Sequence, residues 1–304
     1  MIDVAVATTP FLDITFSGLD ALPLPGQERY ARQLHRSAGG GAITAVGAAR
    51  LGLRAALAGP LGSDGEGALL RDDLEREVVT LVAPHAGPTA TTVVLPTNSD
   101  RAMVTYDPGA RARAEDLAEL APRALVCGLA EQALAPSGTA VYLTLGDEEA
   151  RALAGAAPAS IGDAHAIVLN ESEALRITGA DDVTGAAAAL ARLGASVVVT
   201  RGRLGAVGVV DGVAVSAAGV DAGPALDTTG AGDLFTAAYV WAELSGADPE
   251  ERLRWAVLYA ALSVTVPTAI AGATTRDRLM EEGTRLGLPD PAPVASGDHQ
   301  RRPK

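Results

Sequence analysis

Short, nearly unbroken apolar runs alternate with amphipathic segments along most of the chain. "IDVAVA" (2–7), "RALVCGL" (123–129), "AVYLTL" (140–145), "AIVLN" (166–170) and "SVVVTRG" (196–202) are runs of this kind. An apolar run without a polar face suits a strand buried on both sides, as in a parallel sheet. Between them lie "EEARALAGAA" (148–157), "ESEALRIT" (171–178) and "VTGAAAALARLG" (183–194), which read as helices. Earlier, "GGGAITAVGAARLGL" (39–53) is a glycine entry to a small-residue helix, and "RAALAGPLG" (54–62) a strand ending in a turn. "GEGALLRDDLEREV" (65–78) has helical spacing, with Leu69, Leu70 and Leu74 on one side. Helices are also expected at 231–245, 249–265 and 275–286, and "AVGVVDGVAVSAAG" (206–219) as a hairpin turning at Asp211-Gly212. The repeated alternation predicts an α/β fold, with a mostly parallel central sheet flanked by helices on both faces. Such sheets bind ligands at the carboxyl ends of their strands.

Two stretches break the alternation. "TATTVVLPTNSDRAMVTYDPGA" (89–110) has two β-rich runs around "PTNSD" and reads as a hairpin. "DITFSGLDALPLPGQERYARQLHRSAGG" (13–40) has strand-like pieces and turn prolines. Both are expected to form a small inserted β-sheet. The domains expected are therefore an α/β unit of 1–12, 37–88 and 109–290, a β subdomain of 13–36 and 89–108, and a disordered tail of 291–304.

Composition narrows the chemistry. Apolar residues make up 48% of the 304, enough for a substantial core, and no apolar run reaches membrane-span length. The opening "MIDVAVATTP" lacks a basic segment before an apolar one, so a cytoplasmic protein without a signal peptide is expected. The net charge of −13, with no basic stripe, argues against nucleic acid as a partner. The sole lysine is Lys304, which excludes Walker A, Schiff-base and protein-kinase chemistry, all of which need an internal lysine. The single cysteine, Cys127, fits a buried strand, and His35, His85, His165 and His299 show no metal spacing.

The chemistry concentrates in "DTTGAGDLFTAAYV" (227–240). Gly230, Ala231 and Gly232 are small residues where a helix should begin. Free N–H groups and the positive end of the dipole make such a place an anion cradle. Asp233, just inside it, could take a proton from a hydroxyl attacking phosphorus. Asp227 could cap the turn or bind a cation. The same residues also describe a plain helix start, and the local pattern leaves the two readings open.

The stretch "DTTGAGDLFTAAYV" resembles the C-terminal signature of the ribokinase-like (PfkB) carbohydrate kinases. "GGGAITAVGAARLGLRAALAGPLGSDGEG" (39–67) resembles their N-terminal glycine signature. "FLDITFSGL", "LNESEA" and "VVVTRGRLGAVG" resemble the family's substrate aspartate segment, its Asn-x-x-Glu element and its Thr-x-Gly-x-x-Gly nucleotide turn, in the same order. The resemblance spans about 2–286 and implies an ATP- and Mg²⁺-dependent kinase of a sugar or sugar acid. A nucleoside kinase, or a catalytically silent ligand sensor on this fold, is the alternative.

By that resemblance Asp233 is the general base, and Gly230, Ala231 and Gly232 form the anion hole. Asp13, Gly39, Gly40, Gly41 and Thr44 bind substrate. Asn170, Glu173, Thr200, Gly202, Gly205 and Thr229 bind the nucleotide, with Glu173 meeting Mg²⁺ through water. Asn170 and Glu173 also have the spacing of a helix capping box, and both roles can hold. Asp227 and Thr229 match positions that help hold a monovalent cation, which leaves K⁺ open. The inserted sheet resembles the family lid, through which a homodimer is expected. Arg101, on the expected lid hairpin, and Arg201 and Arg203, beside the nucleotide turn, are solvated arginines first and anion contacts second. The sequence departs from the pattern at Ile43, where many members carry a substrate-contacting asparagine. An apolar residue there points to a substrate less hydroxylated on that side, or to a nucleoside.

Overall fold

The structure, a computed structural model, describes residues 2–82, 86–96 and 101–294. In chain order its strands are β1 (Val4–Val6), β2 (Pro10–Ser17), β3 (Gln33–Gly40), β4 (Ala55–Leu57), β5 (Thr80–Leu81), β6 (Thr91–Pro96) and β7 (Arg101–Tyr106). They continue with β8 (Ala124–Cys127), β9 (Ala140–Thr144), β10 (Ala166–Asn170), β11 (Ser196–Thr200), β12 (Gly205–Val210) and β13 (Val213–Ala218). The helices are α1 (Gly41–Arg50), α2 (Gly65–Arg76), α3 (Ala114–Leu120), α4 (Asp147–Ala152) and α5 (Glu171–Thr178). They continue with α6 (Val183–Ala191), α7 (Ala231–Leu244), α8 (Pro249–Ser263), α9 (Ala269–Gly272) and α10 (Arg276–Arg285).

The large sheet runs β13-β12-β11-β10-β9-β8-β1-β4-β5. It is parallel from β11 to β5, and the β12–β13 hairpin adds an antiparallel edge. The hairpin turns at Asp211 and Gly212, with φ of 52° and 78°, the left-handed pair that a two-residue turn needs. Along each strand alternate residues enter opposite cores, as the period of two requires. Val4, Val6, Ala124, Val126 and Val198 pack with α1, α7 and α8. Ala5, Ala7, Leu125, Cys127, Val197 and Val199 pack with α5 and α6. The expected α/β sheet covered on both faces is what forms.

The second sheet has the order β3-β2-β6-β7. It is mixed: β2 pairs antiparallel with β3 but parallel with β6, and β6 and β7 form the expected hairpin. Its first two strands overrun the 13–36 segment read from the sequence, starting at Pro10 and ending at Gly40. The hairpin's tip, His85 and the final part of the tail lie outside the described residues, as does the Arg101 side chain. Among the described residues no helix is long and apolar enough to cross a membrane.

Candidate active site

The parallel strands end at a common edge, where a cavity of about 770 Å³ opens. Its wall includes Thr8 and Thr9 after β1, Gly128 after β8, Thr144 at the end of β9 with Leu145 and Gly146 beyond it, Leu169 and Asn170 at the end of β10, and Thr200 at the end of β11. Phe11, Gly40 and Gly41 close one side, at the junction of the small sheet with α1. Gly232, Asp233 and Thr236 enter from the first turns of α7.

The start of α7 is set by Gly230, its N-cap, at φ 73° and ψ 3°. This left-handed turn is tightly backed: a Cβ on Gly230 would lie 2.5 Å from Ala269 Cβ and 2.7 Å from Ile43 Cδ1. The Ala231 N–H reaches back to the Thr228 carbonyl at 3.4 Å, and of 230–232 only Gly232 lines the cavity; a first-turn amide without an intrahelical partner can meet an anion there. Asp233 sits in this first turn and accepts a hydrogen bond from the Thr44 hydroxyl, Oγ1 to Oδ1 at 3.3 Å. The residue keeps a face on the cavity, yet it lies deep enough that burial pushes its carboxyl up to about 7. The Thr44 bond opposes that shift, and Glu173 adds to it. A carboxyl poised near neutrality can exchange a proton at working pH.

Asn170 and Glu173 form the full capping box of α5. The Glu173 N–H donates to Asn170 Oδ1 and the Asn170 N–H to Glu173 Oε2, both at 2.9 Å. Both also line the cavity, so the capping role does not remove them from it. Burial first, and then the Asp147 charge, raises the Glu173 carboxyl above its usual range. Among the described residues no three His, Cys, Asp or Glu side chains cluster closely enough to hold a metal alone. The donor set fits a hydrated Mg²⁺ that takes most of its ligands from water and phosphate.

The remaining wall was not anticipated from the sequence. Glu131, 7% exposed, and Glu149 face Gly128, and burial raises both carboxyls, with the Glu131 charge adding to the Glu149 shift. Arg111 also lines the cavity, paired with both oxygens of Asp107 at 3.2 and 3.0 Å. The usable signal was position: Gly128 directly follows β8, and Glu131 lies in the loop just beyond it.

Other expected site residues sit differently. Thr44 is 2% exposed, and its hydroxyl is engaged by Asp233 rather than turned to a substrate. Ile43 is 1% exposed and packs behind Gly230, so the departure from asparagine removes no cavity wall. Asp13 is 8% exposed and packs on Gly39, where any Cβ would come within 2.3 Å of its carboxyl. Gly40 and Gly41 reach the cavity; Asp13 and Gly39 lie behind that rim. Gly202 and Gly205, at φ 53° and 93°, make the turn beyond Thr200 but not the cavity wall itself. Asp227 braces two loops, accepting from the Thr229 N–H at 2.8 Å and the Thr268 N–H at 3.1 Å. Asp227 and Thr229 line a separate cavity of about 260 Å³ under the small sheet. Cys127 is buried, its thiol pushed up to about 12, which removes it as a nucleophile.

The pfkB family carbohydrate kinase model matches residues 12–276. No curated protein matches the chain. Among solved structures, Arabidopsis thaliana ribokinase complexed with ribose and ATP is 24% identical, with 92% of this chain and 98% of that one covered and a TM-score of 0.78. A Methanocaldococcus jannaschii nucleoside kinase of the ribokinase family is 18% identical, with coverage of 94% and 99% and a TM-score of 0.77. An Escherichia coli protein assigned as a ribokinase II, holding ATP and Mg²⁺, is 18% identical, with coverage of 94% and 100% and a TM-score of 0.76. At these identities the structures speak to the fold, which is ribokinase-like, with the small sheet in the place of the lid.

Proposed function

The chain belongs to the pfkB family of carbohydrate kinases, and from that membership we propose that it transfers the γ-phosphoryl group of ATP to a hydroxyl of a small sugar or sugar acid. The observation that carries the proposal is Asp233: a carboxyl poised near neutral pH, in the first turn of a helix that meets the cavity at Gly232, Asp233 and Thr236.

In this reading the acceptor enters beside Gly40, Gly41 and Phe11. Asp233 takes the proton of the attacking hydroxyl as the new O–P bond forms. The bond from the γ-phosphorus to the β–γ bridging oxygen breaks, and ADP leaves with that electron pair. The amides of Gly230, Ala231 and Gly232 stabilise the charge on the transferring group. Asn170 and Glu173 would orient the hydrated Mg²⁺, which supplies charge neutralisation on the phosphates when bound. Thr200 and the turn at Gly202 and Gly205 would seat the nucleotide, and Asp227 with Thr229 would brace the catalytic turn. Closure of the small sheet would exclude water and so limit hydrolysis. A homodimer through that sheet is part of the same proposal.

Phe11 in the cavity wall keeps a nucleoside acceptor as a second reading. One experiment tests both: ADP release from Mg-ATP over a panel of pentoses, hexoses, sugar acids and nucleosides, beside Asp233→Asn. Turnover with one class, abolished in the variant, is the expected result. No turnover with any acceptor, together with equal thermal stabilisation of both proteins by a ligand, would favour a sensor.

A further inference from the structure

Thr44 lies 189 positions from Asp233 in sequence, yet it donates to Asp233 Oδ1 at 3.3 Å. The contact depends on how closely α1 approaches α7. Gly47 permits that approach, since a Cβ there would stand 2.6 Å from Leu234 Cδ2 and 3.2 Å from Ala237 Cβ. The Tyr259 hydroxyl, within hydrogen-bond reach of both the Gly47 and Thr274 carbonyls at 3.3 and 2.9 Å, ties the same turn of α1 to the segment between α9 and α10. Ile43 fills the space behind Gly230. Thr44 is therefore held by packing on both sides and is 2% exposed, which keeps its hydroxyl out of reach of an acceptor.

We infer that Thr44 is a positioning residue for the base: its hydroxyl fixes one Asp233 oxygen and leaves the other to face the acceptor. The inference rests on Asp233 being the base of the proposed reaction. Thr44 also acts on the proton. A donated hydrogen bond favours the ionised carboxylate, opposing burial and the like charge of Glu173 from α5. Across the cavity the charged groups are Glu131, Glu148, Glu149, Asp107 and Arg111, the last already paired with Asp107.

The test compares wild type, Thr44→Val and Thr44→Ser across pH 5 to 9. The valine variant keeps the shape and loses the donor. Its acidic limb of kcat/KM should move up by about one pH unit, the low end for a bond to a charged group, given the long distance. At pH 6 that is about a tenfold loss. Serine should restore the wild-type limb, which a merely structural role for the threonine methyl would not do. The same three proteins are titrated without substrate, following the Asp233 carboxyl carbon by NMR. This readout is independent of activity, so a failed acceptor search does not decide it. A higher midpoint in Thr44→Val, restored in Thr44→Ser, supports the inference. An unchanged midpoint in the valine variant, or serine behaving like valine, overturns it.

Discussion

Gly230→Ala tests the account of the turn that opens α7 most directly. Gly230 holds φ 73°, and a Cβ would meet Ala269 Cβ at 2.5 Å and Ile43 Cδ1 at 2.7 Å. The left-handed conformation costs an alanine about 1–2 kcal/mol. Overpacking a closed site costs roughly 1–3 kcal/mol more. The sum, about 2–5 kcal/mol, is a large part of the ~5–15 kcal/mol by which folded domains are stable. The assay is urea unfolding with Gly230→Ala, Ile43→Val and the double variant. Ile43→Val alone should cost about 0.5–1.5 kcal/mol. It also removes the Cδ1 atom that the new methyl would strike. The double variant should therefore be more stable than the sum predicts, by about 1 kcal/mol, while Ala269 and the φ strain remain. ADP release should fall in Gly230→Ala even below its unfolding temperature, because Gly232 and Asp233 follow the displaced turn. Wild-type stability for Gly230→Ala, or strict additivity in the cycle, would refute the packing argument.

Two further outcomes follow from contacts away from the cavity. Asp64 caps α2, accepting from the Gly67 N–H at 2.9 Å and the Thr89 N–H at 2.8 Å, so it also anchors the entry to β6. Asp64→Ala should cost about 1–3 kcal/mol in urea unfolding, more than a cap alone, and a loss under 0.5 kcal/mol would remove the anchoring role. His165 meets Glu243, at the far end of α7, at 2.5 Å, and that hydrogen bond raises the imidazole above its ordinary range, with Asp211 aiding and Arg252 opposing. A raised histidine contributes stability that is complete below the unfolded value of about 6.5 and is lost as pH rises through the folded one. The stability gap between wild type and His165→Gln should thus be widest near pH 6 and close as pH rises; a gap independent of pH contradicts the pairing.

The sequence was most informative where structure is local. Apolar runs became strands buried on both faces, because a period of two sends alternate residues such as Val4 and Ala5 into separate cores. Asn-x-x-Glu became a capping box, and Asp211-Gly212 a left-handed turn, because each depends on its own backbone alone. Residues after the strands were also legible in principle, since ligands meet parallel sheets there, but Thr8, Gly128 and Glu131 were not read that way.

By itself, then, the chain's order of residues determined the α/β layering, the inserted sheet and the glycine turn that opens α7 beside Asp233. Local dihedral preference and hydrophobic period are enough for that. Only the tertiary structure decided that Thr44 serves Asp233, that Ile43 backs Gly230 and that Asp13 lies on Gly39. It alone also raised the Asp233 carboxyl to about 7. Those outcomes are set by desolvation and by the close approach of helices far apart in sequence. Neither quantity exists until the chain has packed.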